Sequence, residues 1–233
     1  MYIPASFRED RLEAMHALMR AHPLAMLIVQ GRDGLQAAPV PFMLYADEGG
    51  RGTLRAHVAR ANPLWRELDG AGECLVVFQG PDGYVTPSWY ASKATTHKVV
   101  PTWNYATVQA RGRATAIDAA AWLRRQLDDL TRCHEGDRPQ PWAVDDAPAD
   151  YLAAQMKALV GIEIPIARIE GKWKMSQNRE MADRQGVVDG LRAADDPHRN
   201  APLAEAVEGR IERQAAGRLA FARPSAEESG KPV

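Results

Sequence analysis

Three short stretches concentrate the side chains able to recognise a ligand: HVARANP (57–63), PSWYASKATTHKVVPTWN (87–104) and GKWKMSQNR (171–179). In the first, Arg60 stands between an apolar run and Asn62-Pro63, a pair suited to opening a helix. An Arg so placed meets a phosphate through charge-assisted hydrogen bonds, and a helix start adds backbone N–H groups. A surface Arg in a loop is the plainer explanation of that residue taken alone. The second stretch crowds Trp89, Tyr90 and Trp103 with Lys93, His97, Lys98, Thr102 and Asn104, and Tyr105 follows. The third sets Lys172, Trp173 and Lys174 before Ser176, Gln177 and Asn178.

Aromatic walls with a few amide, hydroxyl and ammonium donors suit a planar heterocycle with a polar edge, such as an isoalloxazine. Aromatic packing at a dimer interface explains the second stretch equally well. A charged strand edge that discourages pairing explains the third. Other chemistries lack their signatures. No glycine-rich dinucleotide or nucleotide loop occurs, and no H-E-x-x-H. Cys133 and His134 adjoin, and neighbours on a helix diverge, so they make a poor metal pair. Neither His57 nor His97 stands out as a general acid or base.

These stretches must be held by something, and the surrounding periodicity is mainly that of strands. LAMLIVQ (24–30), LQAAPVPFMLY (35–45), TLRAHV (53–58), ECLVVFQGP (73–81) and TWNYATVQARGRATAID (102–118) read as strands joined by turns, an antiparallel meander. Pro39 and Pro41 place the second on an edge or at a bulge. Residues 161–178 alternate again as a late strand pair or one bulged strand. Helical spacing predicts helices over 6–21, with a Ser6–Glu9 capping box, and over 61–68, 119–135, 151–160 and 179–190. From 191 onward the chain is rich in Ala, Arg, Glu and Asp. Leu203, Val207, Ile211 and Leu219 there give at most a weak amphipathic helix, and a flexible tail is the alternative.

The 233 residues suffice for one sizeable domain, expected over 1–190, with 191–233 as an extension. The formal net charge of −1 supplies no basic excess for non-specific nucleic-acid binding. Two cysteines are too few for a disulfide framework. No secretory leader and no membrane-spanning run is recognised, so a cytoplasmic location is expected.

In this order, HVARANP, SWYASK with VPTWNY, and GKWKMSQN, after the opening MYIPASFRE, resemble the PaiB family of FMN-binding negative transcriptional regulators over roughly residues 1–190. The resemblance implies a mainly β, α+β fold: a six-stranded antiparallel split β-barrel with helices outside, akin to pyridoxamine-phosphate oxidases and flavin reductases. It implies a homodimer with FMN at the interface. Arg60 would hold the phosphate, with His57 and Ala59 on the same strand end. Thr102, Trp103 and Asn104 would lie near the ring, and Lys93 near the phosphate or ring edge. Lys174, Gln177 and Asn178 would reach in from the partner chain. The family label implies repression through DNA, although the chain's charge does not favour it. The alternative is a flavin-dependent oxidoreductase without direct DNA binding. A haem-binding barrel would need a histidine near the last strand, and none falls between 135 and 197.

Overall fold

A computed structural model describes residues 1–68, 70 and 72–221, with side chains through Ala215. The first elements are β1 (Arg8–Glu9), α1 (Leu12–Ala21), β2 (Leu24–Gly31), β3 (Gly34–Pro41), β4 (Met43–Tyr45), β5 (Thr53–Ala59), α2 (Leu64–Glu67) and β6 (Glu73–Val85). Then follow α3 (Lys93–Thr96), β7 (Thr102–Arg113), β8 (Thr115–Ile117), α4 (Ala120–Glu135), α5 (Ala149–Lys157), β9 (Leu159–Pro165), β10 (Arg168–Lys174), α6 (Met181–Arg192) and α7 (Ala201–Phe221). The strands form one sheet of order β1-β10-β7-β6-β2-β3 and a second of order β4-β5-β9-β8. A mainly β protein with flanking helices is what the periodicity predicts. The expected strands are present but shared between the two sheets: 53–58 lies in the four-stranded sheet as β5, and 161–178 divides into β9 of that sheet and β10 of the larger one. No described helix is long and apolar enough to cross a membrane.

The chain divides into two compact units. The first holds Met1–Ile3, Arg8–Gly80 and Thr107–Lys172; the second holds Pro4–Phe7, Pro81–Ala106 and the chain from Trp173 onward. In the first, β2 alternates strictly: Ala25, Leu27 and Val29 are buried while Leu24 and Met26 face out. Its hairpin with β3 closes through Arg32 and Asp33, and Gly34 supplies the positive φ of 113° that an L side chain resists. β3 ends the sheet order, where Pro39 and Pro41 forfeit no ladder bond. Leu54, Val76, Phe78, Val108, Ile162 and Ile164 are buried around these strands. Each such side chain contributes about 1.5–3 kcal/mol on leaving water.

In the second unit α6 and α7 pack together. Val187, Val188 and Leu191 are buried on α6, and Leu203, Ala204 and Val207 on α7. Residues 201–221 are therefore helical, and 222–233 lie outside the described residues.

Several predicted boundaries move. The first helix starts at Leu12, not Ser6, because Arg8 and Glu9 pair with Lys172 and Gly171 as a strand. The Glu9 carboxylate takes Arg11 N, Nε and Nη2 at 3.1, 2.8 and 2.7 Å, at the residue that precedes α1. The helix expected over 151–160 ends at Lys157, because Leu159 already pairs with Ala59 of β5.

Candidate functional site

The ten residues singled out in the sequence divide between the units. His57, Ala59 and Arg60 belong to the first; Lys93, Thr102, Trp103, Asn104, Lys174, Gln177 and Asn178 belong to the second.

In the first unit, β5 and β9 hold the Arg60 end in register, with His57 opposite Gly161 and Ala59 opposite Leu159. His57 Nδ1 lies 2.7 Å from Gln126 Oε1, which fixes the ring against the buried Gln126 of α4. Ala59 is exposed. The Arg60 guanidinium makes four hydrogen bonds. Nε donates to the Lys157 carbonyl at 2.8 Å, Nη1 to Asp118 Oδ2 at 2.9 Å, and Nη2 to Asp118 Oδ1 at 2.5 Å and the Leu159 carbonyl at 2.9 Å. Arg60 pulls the Asp118 carboxyl below the usual carboxylate range, and the pairing raises Arg60 in turn. Both groups are solvent-screened, so the geometry matters more than the energy. Of five guanidinium N–H donors, one on Nη1 is left for another acceptor.

The helix expected at 61–68 is the single turn α2, and the Leu64 N–H already donates to Asn62 Oδ1 at 3.0 Å. It supplies no helix terminus for an anion. Beside Arg60 lies a cavity of about 500 Å³ lined by Arg60, Asp118, Ala120, Leu123, Ala153, Met156 and Lys157.

In the second unit, Trp103 is 55 % exposed although it is the bulkiest apolar group of its strand. Tyr84 meets it edge-on with ring centres 6.2 Å apart, and His198 lies 4.8 Å from Tyr84. These rings, with Asp82, Gly83, Arg199 and Asn200, line an open pocket of about 520 Å³. Lys174 Nζ donates to Thr102 Oγ1 and to the Trp103 carbonyl, tying the end of β10 to the start of β7. Lys93 is exposed and reaches Ser88 Oγ at 3.3 Å; Asn178 is exposed as well.

Two of the seven turn inward. Asn104 is fully buried and exchanges hydrogen bonds with Ser176, its Nδ2 donating at 3.0 Å and its Oδ1 accepting at 3.3 Å. Ser176 sits at a φ of 60°, a left-handed conformation that non-glycine residues adopt rarely and that these bonds help to hold. Gln177 accepts from Met175 N at 2.6 Å and donates to the Trp173 carbonyl at 2.5 Å, closing the turn after β10. Sequence reasoning missed Asp118, Tyr84 and His198. Asp118 stands 58 positions from Arg60, and no local pattern connects them.

An exposed indole with a second ring against it, and a lysine and a threonine at its strand end, fits a flat heterocycle with polar edges. An isoalloxazine is such a group, so the residues present are compatible with a flavin. A family model described as "Putative FMN-binding domain" matches residues 1–168. The chain belongs to this FMN-binding family. Among its relatives, the Aspergillus fumigatus protein AFUA_5G13800 is 35 % identical over 82 % of this chain and 90 % of its own length. The Bacillus subtilis protease synthase and sporulation protein PAI 2 is 28 % identical over 92 % of this chain and its full length. Two solved structures share the fold. The FAD and haem binding protein from Mycobacterium smegmatis superposes with a TM-score of 0.54 at 20 % identity, covering 72 % of this chain and 73 % of that one. The flavocytochrome Anf3 from Azotobacter vinelandii gives 0.52 at 20 % identity, covering 72 % and 69 %. The FMN-binding family thus supplies the split-barrel fold that the sequence resemblance implies.

Proposed function

We propose that the protein binds FMN as a homodimer and serves as a flavin-dependent redox or regulatory protein. The observation that carries the reading is the exposed Trp103–Tyr84 surface with Thr102 and Lys174 at the same strand end; Lys93 is a further exposed cation of the same unit. In this reading the ring lies on Trp103, and Thr102 and Lys174 serve its polar edge. Asn104 and Gln177 hold the backbone that presents them, and Asn178 extends the exposed polar rim. For the phosphate, the first unit by itself offers Arg60, beside His57 and Ala59. Asp118 must then yield part of the guanidinium, since one N–H alone is a weak grip on a dianion. The flavin, when bound, supplies hydride or electron transfer.

Dimerisation is supported by an apolar sheet face in the first unit. Leu24, Met26 and Leu35 are 66 %, 39 % and 75 % exposed, and Pro39 and Pro41 share their face. A contiguous apolar patch of this kind is commonly an association surface.

The visible spectrum of the freshly purified protein, followed by FMN titration with fluorescence quenching, tests the cofactor. Flavin bands or quenching at micromolar FMN are expected; neither one appearing overturns the reading. Light scattering tests the dimer, and a monomer at every concentration removes that part. Repression through DNA, which the PaiB resemblance implies, requires a salt-sensitive complex in a gel shift. Its absence at low salt leaves the redox reading.

A further inference from the structure

Residues 181–200 lie beyond the stretch that the FMN-binding model matches, yet they grip one of the ligand-recognition segments. On α6, Gly186 and Gly190 stand one turn apart. A Cβ at Gly186 would fall 2.0 Å from the Trp89 carbonyl oxygen, and one at Gly190 would fall 2.4 Å from the Trp89 indole. Neither glycine has a positive φ, so space is what the positions require. Each lowers helix propensity by about 1 kcal/mol relative to alanine. On the same face Asp183 is 3 % exposed, and its carboxylate accepts Ser92 N at 2.8 Å and Ser92 Oγ at 2.7 Å. A carboxylate buried this deeply is tolerable only when so bonded. After α6, Asp196 accepts Trp89 Nε1 at 2.9 Å and His198 N at 2.8 Å. The Arg179 guanidinium covers the Tyr90 ring at 4.6 Å.

Trp89, Tyr90 and Ser92 are thus each held. From Lys93 to Lys98 every residue is exposed. Ser92 is the pivot between the two regimes. Its side chain and N–H face Asp183, while its carbonyl accepts Thr96 N at 2.9 Å and the hydroxyls of Thr95 and Thr96 at 3.2 and 2.9 Å.

We propose that α6 and the turn after it form a clamp that positions the Trp89–Lys93 segment for the flavin, with Asp183, Gly186, Gly190 and Asp196 as positioning residues. The proposal rests on the FMN reading above. The clamp sets where Lys93 is presented, so its residues act through Lys93 and touch no cofactor.

The test is a double-mutant cycle in the full chain. Gly190→Ala and Lys93→Ala each raise the FMN dissociation constant about tenfold, a 1.4 kcal/mol effect. The pair together also raises it about tenfold, because a misplaced Lys93 and an absent one are equivalent. A hundredfold loss in the pair, or unchanged binding in Gly190→Ala, overturns the clamp. Should Gly190→Ala fail to fold, Asp183→Asn replaces it in the same cycle, and Asp183→Glu restores part of the affinity. Limited trypsin cleavage after Lys93 and Lys98 reads the pinning without any flavin. Faster cleavage in Gly190→Ala, measured well below the melting temperatures of both proteins, supports the clamp, and equal rates overturn it. Wild-type protein that binds no FMN overturns the flavin reading instead, and the cleavage rates then still decide whether the segment is pinned.

Discussion

Arg60, at the end of β5 in the first unit, has four hydrogen bonds to protein oxygens, two of them to one carboxylate. Lys93 and Trp103 in the second unit stand in solvent, the Lys93 ammonium 3.3 Å from a serine hydroxyl and Trp103 with over half its surface open. Both regions carry residue types that bind flavins. The first has closed its cation on itself, and the second displays its groups on a frame made by Asn104, Gln177 and α6. A charged residue beside a candidate site is therefore no measure of binding capacity until its hydrogen-bond partners are known. Recognition at an exposed ring needs little rearrangement, whereas recognition at Arg60 must compete with Asp118.

The largest expected effect breaks the frame of the first region. Gly112→Ala would place a Cβ 2.2 Å from the Pro165 carbonyl oxygen, where backbone must move. Overpacking of this kind costs about 1–3 kcal/mol, read as a lower urea midpoint at unchanged slope.

Next, Arg60→Ala is expected to weaken FMN at least tenfold while leaving riboflavin, which has no phosphate, unchanged; hydrogen bonds to charged groups are the strong ones. Equal losses for both ligands, or none, would make Arg60 a purely structural residue. Trp103→Ala is expected to weaken FMN and riboflavin alike, about two- to tenfold, because the ring is common to both. An effect confined to FMN would move the phosphate to the second unit.

The smallest effect concerns Asp118. Its carboxyl is held below the ordinary value by Arg60. Its contribution to stability is therefore complete above the ordinary carboxylate pKa near about 3.9 and is lost as pH falls through the depressed folded value. Asp118→Asn should lower thermal stability slightly at neutral pH, with the two melting curves converging in acid. The same variant should tighten FMN a few-fold at neutral pH if the phosphate uses Arg60. Weaker FMN binding would assign Asp118 to holding Arg60 in place.

Much of the framework was legible locally. The β2–β3 hairpin follows from alternation, Gly34 and the two prolines of an edge strand. The α4 helix follows from the spacing of Trp122, Leu123, Leu127 and Leu130. The start of α1 was not legible, because Ser6 and Glu9 carry a good capping pattern that pairing with β10 overrides. Nor was the division of the candidate site. Asn104 and Asn178 are the same residue type in two of the candidate motifs, yet one is buried against Ser176 and the other faces solvent.

By itself the sequence determined the strand and helix periods, the edge at Pro39 and Pro41, the ligand-type chemistry of three segments and the resemblance to an FMN-binding family. These depend on residue type and short spacing, which the chain carries wherever it folds. Tertiary structure alone decided that Asp118 occupies Arg60, that Asn104 and Gln177 brace the site from within, and that two glycines of α6 receive Trp89. Apart from the local turn that Gln177 closes, each of those is a contact between residues dozens of positions apart, set by sheet register and helix packing, and no local pattern encodes it.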